Sequence, residues 1–194
     1  MRRRPQFPPK FKDKLLPQEE AIFAGGCFWC TEAVFGQLTG VHSVLSGYIG
    51  GHTVDPTYKE VCGGTTGHAE AIRIAFDAEV ISYADLLEIF FATHDPTQLN
   101  RQGNDIGTQY RSAIFLLSGE QREMAEAGIL KAADDWPAPI VTTIEGPATW
   151  YPAEDYHQEY WDGEGQRNSY CLAVIPPKLA KLKKGFAQRL ANSA

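Results

Sequence analysis

Apolar and polar positions change period several times along the chain, and each change marks an element. Glu20 to Ala24 runs into Gly25-Gly26, after which Phe28, Thr31, Val34, Phe35 and Leu38 recur at helical spacing. This predicts a strand, a glycine turn and a helix. Val41 to Ile49 reads as a second strand, and 50–67 as a loop long enough to carry function. Beyond it Glu70, Ile72, Ile74 and Phe76 share one strand face by period two, while Ala71, Arg73 and Ala75 take the other, so one carboxylate points with the apolar set. Ser82 and Asp85 form a capping box ahead of Leu86, Leu87, Phe90 and Phe91, which predicts a helix ending near His94.

Asp95 to Arg111, punctuated by Pro, Gly and Asn, is a second long loop. Ala113 to Leu117 is apolar on both faces, as a central strand is, and Ser118 with Gln121 opens a helix reaching toward Trp136. Ile140 to Ile144 supplies a further strand. Trp150 to Pro177, aromatic, acidic and rich in glycine, reads as an irregular tail wrapping the surface. Lys178, Lys181, Lys183, Lys184 and Arg189 then alternate with Leu179, Leu182, Phe186 and Leu190, the pattern of a terminal helix with one solvated and one docked face. Strands alternating with helices predict an α+β fold, a ferredoxin-like βαββαβ two-layer α/β sandwich with long functional loops and an irregular C-terminal tail. The expected organisation is one catalytic domain over 1–194, with an extended arm at 1–19 and the wrapping tail and terminal helix at 150–194.

Composition narrows the function. The 194 residues, 43% apolar and 22% charged, suit one globular core. The net charge of -6 argues against binding nucleic acid by bulk electrostatics. No run is long enough to span a membrane, and Arg2, Arg3 and Arg4 are followed by prolines and not by an apolar signal core, so a cytoplasmic location is expected. Four cysteines are too few for a disulfide scaffold of this size and suggest redox or nucleophilic chemistry.

Cys27 follows two glycines and opens a helix, where unpaired backbone N–H groups favour a thiolate. It reads equally as a nucleophile or as a buried small hydrophobe. Cys30 completes a Cys-x-x-Cys with it, which raises a general thiol–disulfide oxidoreductase as an alternative, although Phe28-Trp29 is bulky for a redox loop. Glu70 on an apolar face should lose hydration, hold its proton and act as an acid, unless it swings out or pairs with Arg73 or Arg111. Cys27, Cys30, Cys62 and His68 lack the spacing of a zinc set, and Cys62 reads as a packed thiol. Tyr58, Tyr110, Tyr151, Tyr156 and Tyr160 are loop phenols, some of which should line a site. His157 is either a base or a hydrogen-bonded structural residue.

Gly25-Gly26-Cys27-Phe28-Trp29-Cys30-Thr31-Glu32 resembles the active-site signature of the A-type peptide methionine sulfoxide reductases (MsrA). The resemblance continues through Pro56-Thr57-Tyr58, Thr66 to Ala71, Asp95-Pro96-Thr97, Asn100 to Asp105, Gly107 to Ser112, Ala153 to Gln158 and Tyr170-Cys171. It implies that Cys27 attacks the sulfoxide sulfur and that protonated Glu70 donates to the sulfoxide oxygen, with Tyr58 and Tyr110 as further donors. It implies that Phe28 and Trp29 wall the methyl group, and that Asp105 and Tyr160 support the site. The implied product is methionine, free or protein-bound, plus a sulfenic acid on Cys27, which a second thiol converts to a disulfide for thioredoxin to reduce. Cys171 is the expected second thiol, because the tail before it, with Gly163 and Gly165, has the composition of a mobile segment able to fold over the site. Cys30 is a possible secondary recycling thiol, since many relatives lack a cysteine there. The resemblance further implies the S epimer as substrate, repair of oxidised proteins as the role, no metal and no bound organic cofactor. A monomer is expected.

Overall fold

The structure, a computed structural model, describes residues 18–191; most of the expected N-terminal arm lies outside that range. Eight strands and five α-helices follow in the order β1 (Gln18–Gly25), α1 (Phe28–Phe35), β2 (Val41–Ile49), α2 (Tyr58–Cys62), β3 (Ala69–Asp77), α3 (Tyr83–Thr93), β4 (Arg101–Gln102), β5 (Asp105–Ile106), β6 (Ser112–Phe115), α4 (Gly119–Ala133), β7 (Thr143–Glu145), β8 (Tyr151–Pro152) and α5 (Ser169–Gly185). The main sheet has six strands in the order β7-β6-β1-β3-β2-β8, antiparallel except for β6 with β7. Its central order β6-β1-β3-β2, with α1 and α3 as crossovers, is the expected βαββαβ core.

Period-two alternation decides which face each side chain takes. Ala21, Phe23, Ile72, Ile74, Phe76 and Ile114 pack under the helices with Phe35, Leu86 and Phe90. Ile22, Ala24, Ala69, Ala71, Ala113 and Phe115 form a smaller cluster on the opposite face, against which Trp150 packs. Glu70 has the parity of Ile72 and Ile74 and so enters the helical face. Burying a large side chain in such a cluster stabilises the fold by roughly 1.5–3 kcal/mol, which makes the parity of β3 costly to reverse.

Four expectations need correction. β1 begins at Gln18, because Gln18 and Glu19 already pair with Asp77 and Phe76, so the arm stops short of 19. The loop 50–67 contains α2, started by a capping box in which Thr57 accepts from the Glu60 N–H and Glu60 accepts from the Thr57 N–H. The tail is not irregular to Pro177. α5 starts at Ser169 because the Asn168 side chain caps it, and Pro176 and Pro177 lie inside the helix. The expected strand at Ile140 to Ile144 is displaced to Thr143–Glu145, where it pairs with β6.

Candidate active site

Cys27 is the N-cap of α1, and its own side chain makes no capping bond. The acceptor at this helix start comes from the sheet: Glu70 Oε2 accepts the Phe28 N–H at 3.1 Å, across 42 residues of sequence. Gly26 makes the turn possible. Its φ is +91°, and a Cβ there would lie 2.6 Å from Gln102, whose loop closes over the turn.

Glu70 is buried, and burial pushes its carboxyl up to about 8 against the opposing effect of the Phe28 N–H. Neither arginine that could have claimed it does so, since Arg73 pairs with Glu20 at 2.6 Å and Arg111 with Glu145 at 3.2 Å. Burial thus favours the neutral acid. The expectation for Cys27 is corrected. Its hydrogen bond to Cys30 and its burial hold the thiol well above the usual range, the charges on Cys30 and Glu70 add to this, and the Trp29 N–H alone opposes them. Cys30 moves down because it accepts that hydrogen bond. One N–H at the helix start does not outweigh removal of the sulfur from water.

The aromatic residues converge as expected. Phe28 lies 6.3 Å from Tyr58 between ring centroids, and Trp29 stacks on Tyr160 at 4.0 Å with 13° between the planes. Tyr58 and Tyr110 are half-buried, both are shifted upward by burial and then by the Glu70 charge, and both therefore remain protonated donors. Asp105 accepts from the Tyr170 hydroxyl. Cys27, Cys30 and Cys171 meet in one buried cluster with Ala33 and Ile175, at 7%, 3% and 0% exposure. Burial raises the Cys171 thiol to about 11.

Other candidates fall elsewhere. Cys62 is exposed at the end of α2, so it is not a packed thiol. His68 uses both ring nitrogens, accepting the Gly51 N–H at 3.0 Å and bonding the Thr53 carbonyl at 2.7 Å, and does not join a metal set. Among the described residues no group of three or more His, Cys, Asp or Glu is placed to hold a metal. His157 is buried, its Nδ1 accepts the Trp29 indole N–H at 3.1 Å, and burial lowers its pKa. Lys178 departs from the solvated face assigned to it. Its Nζ donates to the Thr93 carbonyl at 2.8 Å, and its charge acts on Cys30 and Cys27. The structure also brings Tyr170 to Asp105, Glu154 to the Tyr48 hydroxyl and the Tyr58 N–H, and Glu32 to the 159–160 backbone, contacts that the sequence pattern does not announce. All three lie inside the stretches that carry the family resemblance, but the partners they meet lie far away in the sequence.

Several thiols and an uncharged carboxylic acid at one end of a sheet are the equipment of a thiol-dependent oxidoreductase. Comparison with known proteins is more particular: a family model described as peptide methionine sulfoxide reductase matches residues 19–190. Peptide methionine sulfoxide reductase MsrA of Erwinia tasmaniensis is 73% identical over 172 residues, covering 89% of this chain and 97% of the relative. Reduced Mxr1 of Saccharomyces cerevisiae superposes with a TM-score of 0.71 at 32% identity, covering 80% of this chain and 92% of the other. A structure of Mxr1 in complex with Trx2 aligns with a TM-score of 0.53 at 22% identity, over 76% and 90% of the two chains, a likeness of fold. The chain belongs to the peptide methionine sulfoxide reductase family. No helix among its described residues is long and apolar enough to cross a membrane.

Proposed function

We propose that the chain, acting as one catalytic domain over 1–194, reduces the S epimer of methionine sulfoxide, free or in oxidised proteins, through a sulfenic acid on Cys27. The observation that carries this reading is the Glu70 carboxyl, buried, uncharged at neutral pH and bonded to the residue that follows Cys27. Sulfoxide oxygen leaves poorly unless protonated, so a sulfur nucleophile and a neutral acid must share one site. As Cys27 forms a bond to the sulfoxide sulfur, the oxygen takes the Glu70 proton, and Tyr58 and Tyr110 donate hydrogen bonds to it. The oxygen then takes a second proton, the one Cys27 gave up, and leaves as water. A water oxygen attacks the Cys27 sulfur and breaks its bond to the substrate sulfur, so that the substrate departs as the thioether, Cys27 is left as a sulfenic acid and a proton returns to Glu70. Phe28 and Trp29 wall the methyl group, and Tyr160 and Asp105 support the pocket.

Cys27 holds its proton in the free site, so attack requires that proton to leave, and Cys30 is the partner already bonded to it. Cys171 then displaces water from the sulfenic sulfur to give a disulfide, which thioredoxin reduces by exchange. Mxr1, whose fold this chain shares, forms a complex with Trx2, which supports a dithiol partner of that kind. Such a reductant is kept reduced in the cytoplasm, and one chain supplies every residue named, so a cytoplasmic monomer suffices. Cys30 remains a secondary recycling thiol. The alternative, a general thiol–disulfide oxidoreductase using Cys27 and Cys30, is weaker, because both thiols are buried and it gives Glu70 no role. Assays with each sulfoxide epimer, and with thioredoxin or dithiothreitol as reductant, test the proposal. Turnover of the S epimer with either reductant is expected, and reduction of protein disulfides without any sulfoxide reduction overturns it.

A further inference from the structure

Glu32, on α1, is buried and takes no part in the chemistry above, yet both its carboxylate oxygens are used. Oε1 accepts the Glu159 N–H at 3.0 Å and Oε2 the Tyr160 N–H at 3.3 Å. Glu159 has φ +50°, a left-handed conformation that a non-glycine residue keeps only when its surroundings hold it. The segment that Glu32 holds leads in two directions. The Tyr160 ring lies flat on Trp29 at 4.0 Å, so the position of the 159–160 backbone sets one wall of the proposed pocket. The Tyr160 hydroxyl accepts from the Asn168 side chain at 3.2 Å. Asn168 in turn accepts the N–H groups of Tyr170 at 2.9 Å and Cys171 at 3.3 Å, which closes the first turn of α5. The Tyr160 carbonyl also accepts the Gly165 N–H at 2.7 Å, which folds the intervening segment back on itself. Two ends of the site are therefore joined through one residue pair.

We infer that Glu32 is a positioning residue that ties the aromatic wall Trp29–Tyr160 and the helix start carrying Cys171 into one unit, so that the recycling thiol is withheld while the wall is stacked. Cys171 is completely buried, and its sulfur gains freedom only if the first turn of α5 opens. That opening breaks the Asn168 cap, to which the Tyr160 hydroxyl is bonded. Displacement of the wall and release of Cys171 are thus one event. The order this imposes, sulfoxide chemistry first and disulfide formation second, rests on the function proposed above, whereas the mechanical coupling does not.

Two substitutions in the full chain separate these points. In Glu32→Ala both N–H groups lose their acceptor, and in Glu32→Gln a single amide oxygen keeps one of them. Alkylation of the reduced protein by iodoacetamide, resolved for each cysteine by peptide mass spectrometry, reads the freedom of Cys171 without any catalysis. The KM for a methionine sulfoxide peptide, with dithiothreitol as reductant, reads the wall. Glu32→Ala is expected to alkylate Cys171 about tenfold faster and to raise KM about tenfold with kcat within about twofold, with Glu32→Gln between it and wild type. Wild-type alkylation of Cys171 in Glu32→Ala overturns the proposal, as does faster alkylation with an unchanged KM. If Glu32→Ala does not fold, Asn168→Ala decides: it cuts the link at its far end and should speed Cys171 alkylation by a similar factor, and an unchanged rate overturns the coupling. If the wild-type protein reduces no sulfoxide, the proposed function falls and alkylation alone judges the coupling.

Discussion

Cys27 and Cys171 both sit where a helix begins, and the two helix starts are built in opposite ways. No nearby side chain caps α1; the acceptor for its first N–H is Glu70, 42 residues away on a central strand. α5 is capped by Asn168, the residue just before it, which accepts from Tyr170 and Cys171. The first helix start cannot shift without disturbing the sheet. The second is held by a local cap worth roughly 0.5–2 kcal/mol and by the bond from that cap to the Tyr160 hydroxyl. A site that needs one thiol held against an acid and another able to travel is served by this division. Cys171 lies not on a mobile tail but, fully buried, on a helix turn that can unwind.

The comparison is broken most severely at Cys27. Cys27→Ser is expected to abolish sulfoxide reduction while leaving the circular dichroism spectrum and melting curve in place, because a hydroxyl cannot serve as the sulfur nucleophile. Substantial turnover by that variant removes Cys27 from the mechanism. At the acid beside it, Glu70→Gln is expected to slow the single-turnover reduction by roughly 10²–10⁴, the range for losing a general acid, and stopped-flow or quenched-flow measurement of methionine release checks this. Because Glu70 titrates at about 8, the wild-type rate of that step should fall as pH rises through about 8, and the variant should lack this limb. The same shift has a sign for stability. Folded Glu70 retains a proton that the unfolded chain has released, so its contribution is fully present below about pH 4.5 and declines as pH rises to about 8. Denaturant titrations across that window should show a shallower decline for Glu70→Gln.

At the other helix start the effects are narrower. Cys171→Ser is expected to release about one methionine per enzyme and then stall with thioredoxin, while Cys30→Ser keeps most of its turnover. Mass spectrometry of the oxidised wild type should find Cys27 joined to Cys171, and a dominant Cys27–Cys30 bridge with a fully active Cys171→Ser variant reverses the assignment. The smallest effect is expected for Asn168→Ala, a loss of about 1 kcal/mol in chemical denaturation from removing the cap. A larger loss would show that the α5 start is more deeply tied into the fold than its local cap implies.

Legibility in the sequence follows the range of the interaction responsible. The strand parity that sends Glu70 into the helical face is a property of β3 alone, and Ser82 with Asp85 announces α3 within four positions. Thr57 and Glu60 form the same kind of box, but a helix of only five residues has too little periodicity to stand out from the glycine and loop residues around it. Lys178 was placed with the solvated lysines because charge periodicity identifies a face without telling which member of it is packed. The position of Cys27 at a helix start points to a thiolate, yet the direction of its titration is the reverse, because Cys30 and burial act on it in three dimensions.

By itself, the sequence determined the βαββαβ order, the face of β3 on which Glu70 lies and the family to which the chain belongs. All of these depend on period, local capping or residue identity, and none requires knowing what lies across the fold. The tertiary structure alone decided that Glu70 closes the α1 helix start, that Glu32 holds the segment under Tyr160, and that three of the cysteines share a cluster while Cys62 stands outside it. Those contacts join residues from 3 to more than 100 positions apart, and burial sets their protonation. Local pattern carries no record of which distant partner removes a group from water, and that removal is what gives Glu70 a proton to donate.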